Sequence, residues 1–178
     1  LAIASIVGWN FYSDNRQQNI EASTALYAEY VDAAAEAKAA IAQQIKTEFP
    51  GTSVHSLVAL DEAKKAADDA NLAAATQALV EARDAAPDAL LAELAMIRLA
   101  KVQYAQGNAE EALQTLQGIR NPGYQSWALE LTGDIYLAEG NSEQAYAAYT
   151  SALDSQEGDA NRPLLEIKRD NAAPADGE

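Results

Sequence analysis

The sequence contains no cysteine and a single histidine, His55. The first absence excludes thiol nucleophiles, redox pairs, disulfide frameworks and cysteine-ligated zinc. The second leaves nothing from which to build a histidine-based catalytic triad, because His55 stands in Thr52-Ser53-Val54-His55-Ser56 at a predicted helix start, where a solvated or capping role is the plainer reading. Positive charge is also scarce: 12 Lys and Arg face 27 Asp and Glu, for a formal net charge of −15. Such a chain is repelled by a phosphate backbone, so nucleic acid is set aside as a partner. Proline, glycine and aromatic residues are few, and no stretch alternates β-branched or aromatic residues with polar ones between turn signals. No sheet is predicted. Gly-rich phosphate loops, EF-hand loops and HExxH are missing as well. The acid pairs Asp68-Asp69 and Glu110-Glu111 are adjacent, so on a helix they point about 100° apart instead of converging. Glu110 and Glu111 also fit a first helical turn, where the helix dipole favours negative charge. No catalytic, cofactor-binding or metal-ligating residue is assigned, no cofactor is predicted, and the expectation is a protein that is not an enzyme.

What the chain has in plenty is alanine, the residue that costs least in a helix, and the predicted class is all-α. Its 178 residues suffice for one ordinary domain with an additional arm or anchor. The start, Leu1 to Gly8, is uncharged and leads to Trp9, Phe11 and Tyr12 before the first charge, Asp14. That order of apolar stretch, aromatic girdle and polar chain matches the exit from a bilayer. The apolar run is far shorter than the roughly twenty residues of a spanning helix, so residues 1–12 read as the end of an anchor whose larger part lies upstream. Two rival readings are an apolar helix end that packs on the domain and the trace of a cleaved signal peptide. Arg16 is the only base among several acids up to Glu36, which places this side of the anchor away from the cytoplasm.

From Ile20 to Phe49 apolar residues recur at helical spacing, with Leu26, Tyr30 and Ala34 on one stripe and Ile41, Ile45 and Phe49 on another. Residues 13–52 are thus a helical arm, ended by Phe49-Pro50-Gly51, with Ser53 as candidate cap of the next helix, which is predicted to run to about Asp69. Beyond it the sequence repeats. Gly107-Asn108-Ala109-Glu110-Glu111-Ala112-Leu113 returns as Gly140-Asn141-Ser142-Glu143-Gln144-Ala145-Tyr146, and Ala70-Asn71 begins a fainter earlier copy with Ala75, Leu79 and Ala82. The spacings are in the mid-thirties, near the period of about 34 residues for helix-turn-helix repeats. Residues 53–170 are read as about three such hairpins with a C-terminal cap from Pro163 to Lys168, and residues 171–178 as a disordered tail.

These copies resemble tetratricopeptide repeats. Leu129, Gly133, Tyr136, Gly140, Ala145, Tyr149 and Ala152 stand at that motif's places in the last copy. The middle copy matches through Leu99, Ala100, Gly107, Ala112, Leu116 and Ile119, with Gln103 where Tyr would stand. The first matches through Ala63, Ala66, Ala75, Leu79, Ala82 and Pro87, without the turn glycine. All of these are packing positions: small residues let two helices approach to about 8–10 Å. In stacked hairpins the first helices line a concave groove. Its candidate residues here are Leu57, Leu60 and Lys64, then Leu94, Ile97, Lys101 and Tyr104, then Trp127, Glu130, Asp134 and Leu137. They are mostly apolar or acidic, which argues against a clamp for a terminal carboxylate and for an apolar segment or partner helix. Whether the groove stands open or is filled by the chain's own arm or tail is left undecided by these residues.

Taken together, the order of parts resembles the YfgM-like family of ancillary Sec-translocon subunits. The similarity runs from Trp9 to Lys168 through Gly8-Trp9-Asn10, Ala22-Ser23-Thr24-Ala25-Leu26-Tyr27, Arg98-Leu99-Ala100-Lys101-Val102-Gln103, Ala112-Leu113-Gln114-Thr115-Leu116 and Leu131-Thr132-Gly133-Asp134. The resemblance implies a single-pass inner-membrane protein with its C-terminal domain in the periplasm. It implies as partners the SecYEG translocon and a PpiD-type periplasmic chaperone, with unfolded secretory proteins as clients, in a non-enzymatic adaptor or chaperone-like role. The alternative is a structural scaffold or envelope-stress regulator that holds one fixed partner. On either reading Trp9, Phe11 and Tyr12 mark the membrane interface.

Overall fold

The computed structural model describes residues 2–155 and 162–174, with side chains from Gln17 onward. Among the described residues there are nine helices and no strand: α1 (Ala2–Asp32), α2 (Ala35–Glu48), α3 (Ser53–Asp68), α4 (Leu72–Ala85), α5 (Ala89–Ala105), α6 (Ala109–Gln117), α7 (Pro122–Ala138), α8 (Ser142–Asp154) and α9 (Pro163–Ala172). The all-α class and the repeated hairpins are as expected. The side chains of Trp9, Phe11 and Tyr12 lie outside the described residues, as do residues 175–178 of the predicted tail. No helix among the described residues is long and apolar enough to cross a membrane.

The arm folds back on itself at Ala33-Ala34, where Ala34 is extended (ψ 156°) and its carbonyl accepts from Ala37 and Lys38. The reversal brings Leu26, Tyr27 and Tyr30 of α1 against Ile41, Ala42 and Ile45 of α2, and both against Val54 and Val58 of α3. Pro50 and Gly51 (φ +68°) then turn the chain into α3. Thr52, not Ser53, caps that helix: its Oγ1 accepts from the His55 amide at 3.2 Å, and Ser53 is the first helical residue. At the other end α9 continues two residues past the expected boundary at 170, because Ala172 is fully buried against the last hairpin with Leu165.

Three hairpins, α3/α4, α5/α6 and α7/α8, form the array. The core clusters of the first two hairpins each include the first helix of the following one: Leu60, Ala63 and Leu79 pack with Ala95, Leu99 and Val102 of α5, and Ala100 and Leu116 pack with Ala128 and Ile135 of α7. The core is therefore continuous, as in solenoids whose units cannot bury their apolar faces alone. Within each hairpin a small residue of the first helix meets a large one of the second: Ala63 shares a core cluster with Leu79, Ala100 shares one with Leu116, and Gly133 lies against the ring of Tyr149. The smallest of the three meets the largest partner: a Cβ on Gly133 would lie 2.4 Å from Cε1 of the fully buried Tyr149.

A polar tie repeats with the same register. Ser56 Oγ donates to the Ala82 carbonyl at 2.7 Å, and Ser126 Oγ donates to the Ala152 carbonyl at 2.7 Å. Glu93 holds this place in the middle hairpin, and its carboxylate accepts from the Arg120 and Asn121 amides at 3.0 and 2.8 Å. Ser56 and Ser126 thus join the start of the first helix to an open carbonyl in the last turn of the second, and Glu93 joins the start of α5 to open amides in the connection between α6 and α7. Gln103, at the place of the motif's Tyr, donates to Glu111 and accepts from Thr115 instead of filling the space with a ring.

The three hairpin turns place Ala70 (φ +57°), Gly107 (φ +86°) and Gly140 (φ +80°) in the left-handed region. Alanine there costs about 1–2 kcal/mol. Ala70→Gly is accordingly expected to stabilise the domain by about 1 kcal/mol and to raise the melting temperature by about 2–4 °C. Gly133→Ala is expected to destabilise it by about 1–3 kcal/mol through overpacking against Tyr149. Thermal melts followed by circular dichroism check both signs.

Candidate functional site

The first helices of the hairpins, α3, α5 and α7, carry every residue predicted to line the groove. The structure sorts these residues by register position. Leu60 and Ile97 occupy equivalent places and are both buried, at 4% and 5% exposure, in the contact between neighbouring hairpins. Leu60 is therefore a core residue instead of a binding one. Leu57 and Leu94 are half-buried against the first core cluster, and Tyr104 against the second. Lys64 is exposed and pairs with Asp68 one turn along α3. Leu137 is exposed near the end of α7.

Five of the predicted residues, Ile97, Lys101, Trp127, Glu130 and Asp134, do come together. With Leu131 they line a concavity of about 320 Å³ between α5 and α7. Its remaining wall was not anticipated: Arg162, just before α9, and Lys168, on α9, close it from the C-terminal side. Trp127 is the most exposed aromatic ring of the array, at 54%, and packs on Tyr124 with ring centroids 5.9 Å apart.

The acids of this site are fully engaged. Glu130 receives Arg162 Nη2 on one oxygen and Lys168 Nζ on the other, the latter at 2.8 Å. Lys168 also reaches Asp134 at 2.8 Å, and Tyr149 Oη donates to Asp134 at 2.9 Å. Arg162 Nη1 donates to Ser126 Oγ at 2.7 Å, so the polar tie of the last hairpin and the ion cluster form one network. Burial alone would push the Glu130 carboxyl up, but the bonds and charges of Lys168 and Arg162 hold it below the usual carboxylate range. Burial would likewise lower Lys168, but Asp134 and Glu130 hold it above the usual lysine value. Burial and the bond to Asp134 both push the Tyr149 phenol up, keeping it a neutral donor. Lys101 differs from the other bases of the site: it is exposed and has no ion-pair partner among the described residues.

A similar clasp fastens the N-terminal arm. Lys46 of α2 bridges Glu62 of α3 and Glu81 of α4, and His55 Nε2 lies 3.0 Å from Glu81. Burial raises the Glu81 carboxyl, yet its bonds to Lys46 and His55 bring it below the usual value. A second concavity, of about 390 Å³, opens beside this clasp where α1, α2 and α3 meet; Tyr30 Oη donates to Asp61 there at 2.7 Å and the Lys38 ammonium sits 5.0 Å from the Tyr30 ring centroid. Among the described residues no group of three His, Cys, Asp or Glu is placed to hold a metal ion. The carboxylates of the groove hold two helices together; their oxygens are taken up by cations and a phenol and not presented to a substrate.

Stacked helical hairpins of this kind define a helical-repeat protein. The chain belongs to the tetratricopeptide repeat-like domain family, whose model matches residues 1–174. It is similar over most of its length to proteins called ancillary SecYEG translocon subunit. One, from Aggregatibacter actinomycetemcomitans, is 28% identical over 174 residues, covering 96% of this chain and 85% of the relative. Another, from Haemophilus influenzae, is 27% identical over 158 residues, 87% of this chain and 78% of the relative. A third, from Escherichia coli, is 24% identical over 174 residues, 96% and 84% respectively. The resemblance drawn from the sequence motifs is thus matched by the relatives the chain has.

The two clasps make stability depend on pH in a defined direction. Glu130 and Glu81 titrate below the unfolded value in the folded chain, so their contribution is complete above that value, near 4.5, and is lost as pH falls through the lower folded values. Melting temperature is expected to drop as pH is lowered from about 5 to about 3, and to drop less in a variant carrying Glu81→Gln and Glu130→Gln. Equal slopes for the two proteins would remove the clasps as the cause.

Proposed function

We propose that this chain is a non-enzymatic subunit of the Sec translocon's periplasmic side, tethered to the inner membrane and working with a PpiD-type chaperone on emerging secretory proteins. The observation that carries the reading is the similarity, over most of the chain, to three ancillary SecYEG translocon subunits. The order Leu1 to Gly8, Trp9, Phe11 and Tyr12 supports a single-pass tether, and the near absence of bases after it supports the outward orientation. The charge of −15 suits a domain that stays off anionic headgroups. Repeats supply contact surface and no reactive group, which fits an adaptor. The groove residues that serve contact in this reading are Lys101 and Trp127, the exposed ones among those gathered between α5 and α7.

A second reading, a scaffold holding one fixed partner, draws support from the ion network: with Glu130 and Asp134 already neutralised by Arg162 and Lys168, this end of the groove has a set shape. Trp127→Asp separates the two. The exposed position tolerates the change, whereas Ile97→Asp would place a charge in the core. In membranes extracted with mild detergent, the full-length protein is expected to co-purify with SecYEG. Trp127→Asp is expected to weaken capture of an unfolded outer-membrane protein while leaving SecYEG bound. Loss of SecYEG with capture intact would favour the scaffold, and no Sec component with the unmodified protein would reject the translocon reading.

A further inference from the structure

The groove between α5 and α7 holds a local reversal of charge. The chain as a whole carries −15, but three of its 12 bases, Lys101, Arg162 and Lys168, meet at one concavity with only two acids, Glu130 and Asp134. Those acids are spent. Both oxygens of Glu130 accept from cations, and Asp134 accepts from Lys168 and from the Tyr149 phenol. The surplus positive charge falls on Lys101, which is exposed and without an ion-pair partner among the described residues. Beside it stands the half-exposed indole of Trp127, its orientation set by Tyr124.

Resting on the reading of the groove as a contact surface, we propose that this concavity is a docking site for a partner segment that carries an acidic side chain next to an apolar one. The carboxylate pairs with Lys101 and the apolar side chain covers the Trp127 ring. Charge complementarity selects this occupant. A basic segment would meet Lys101 and find the groove acids already engaged, and a purely apolar one would desolvate the Lys101 ammonium without a partner. The one guanidinium that lines the concavity, that of Arg162, is committed to Ser126 and Glu130, so the carboxylate is received by the single ammonium of Lys101. In the register of the array Lys64 holds the place of Lys101, but Asp68 already pairs with it, so at this register position the lysine without an ion-pair partner among the described residues is that of the middle hairpin.

The test uses the full chain and three fluorescent peptides, acetylated and amidated, that differ only at the centre of an otherwise uncharged sequence: Leu-Glu-Phe, Leu-Gln-Phe or Leu-Lys-Phe. Binding is read by anisotropy at low and at physiological salt. The Glu peptide is expected to bind about two- to fivefold more tightly than the Gln peptide, the range of a solvent-exposed ion pair, and to exceed the Lys peptide by a larger factor. Lys101→Glu is expected to invert that order, and Trp127→Ala to weaken all three. Because Lys101 is exposed and has no ion-pair partner among the described residues, the Lys101→Glu protein should melt at the temperature of the unmodified one. Equal binding of the three peptides, an order unchanged by Lys101→Glu, or no binding at all would overturn the proposal. Retention of SecYEG on the protein is scored separately, so a failed peptide series with SecYEG retained rejects this site and leaves the translocon reading standing. Loss of SecYEG with the peptide order intact does the reverse.

Discussion

The packing of a small residue of each first helix, Ala63, Ala100 or Gly133, against a large one of the second is the constraint on which the rest of the array depends. About two turns before these residues on the same helices, Ser56 and Ser126 tie the first helix to the last turn of the second, and Glu93 ties α5 to the connection that follows α6. The core clusters of the first two hairpins take in the next first helix, so the hairpins stack with the concavity between α5 and α7 as their by-product. Gly133 is the limiting case: Tyr149 fills the space a Cβ would need, and its hydroxyl then reaches Asp134 on the same helix as the glycine. Packing and the ion network of the groove are thus coupled through one side chain.

The helices, the hairpin register and the close-contact residues were legible before any coordinates, because each is written in short-range spacing: 3.6-residue stripes, turns ending in Gly-Asn, and small residues at a repeating place. The groove was half legible. Leu60, Ile97 and Glu130 share one register position, and in the first two hairpins that position is buried. Read together, they say that Glu130 sits where its neighbours are core residues, so it must be neutralised. The residues that do so, Arg162 and Lys168, lie 32 and 38 positions further on, beyond any local pattern. Arg162 is nevertheless 36 residues after Ser126, near the repeat spacing, and continuing the register one step past the last hairpin would have pointed to it. The cap of α3 was placed one residue late because Thr52 and Ser53 are both good caps and only the backbone chooses between them.

Both open ends of a solenoid need covering, and here they are covered by the same chemistry. Lys46 on α2 joins the arm to Glu62 and Glu81, and Lys168 on α9 joins the cap to Glu130 and Asp134. Each clasp sets one lysine between two carboxylates, so a chain rich in acids uses its few bases where they offset repulsion between neighbouring helices.

The buried ties also bear on how the chain reaches its structure. Each hydroxyl tie connects residues only 26 positions apart, and the carboxylate tie 27 and 28, so every hairpin closes on itself with local contacts. Contacts of short sequence separation favour rapid folding. A chain delivered from its N-terminus could set the arm on α3, close the first hairpin and use its exposed side to receive α5 before α7 had emerged. Unlike a fold that waits for its last strand, this one exposes at each stage only the single unfinished edge.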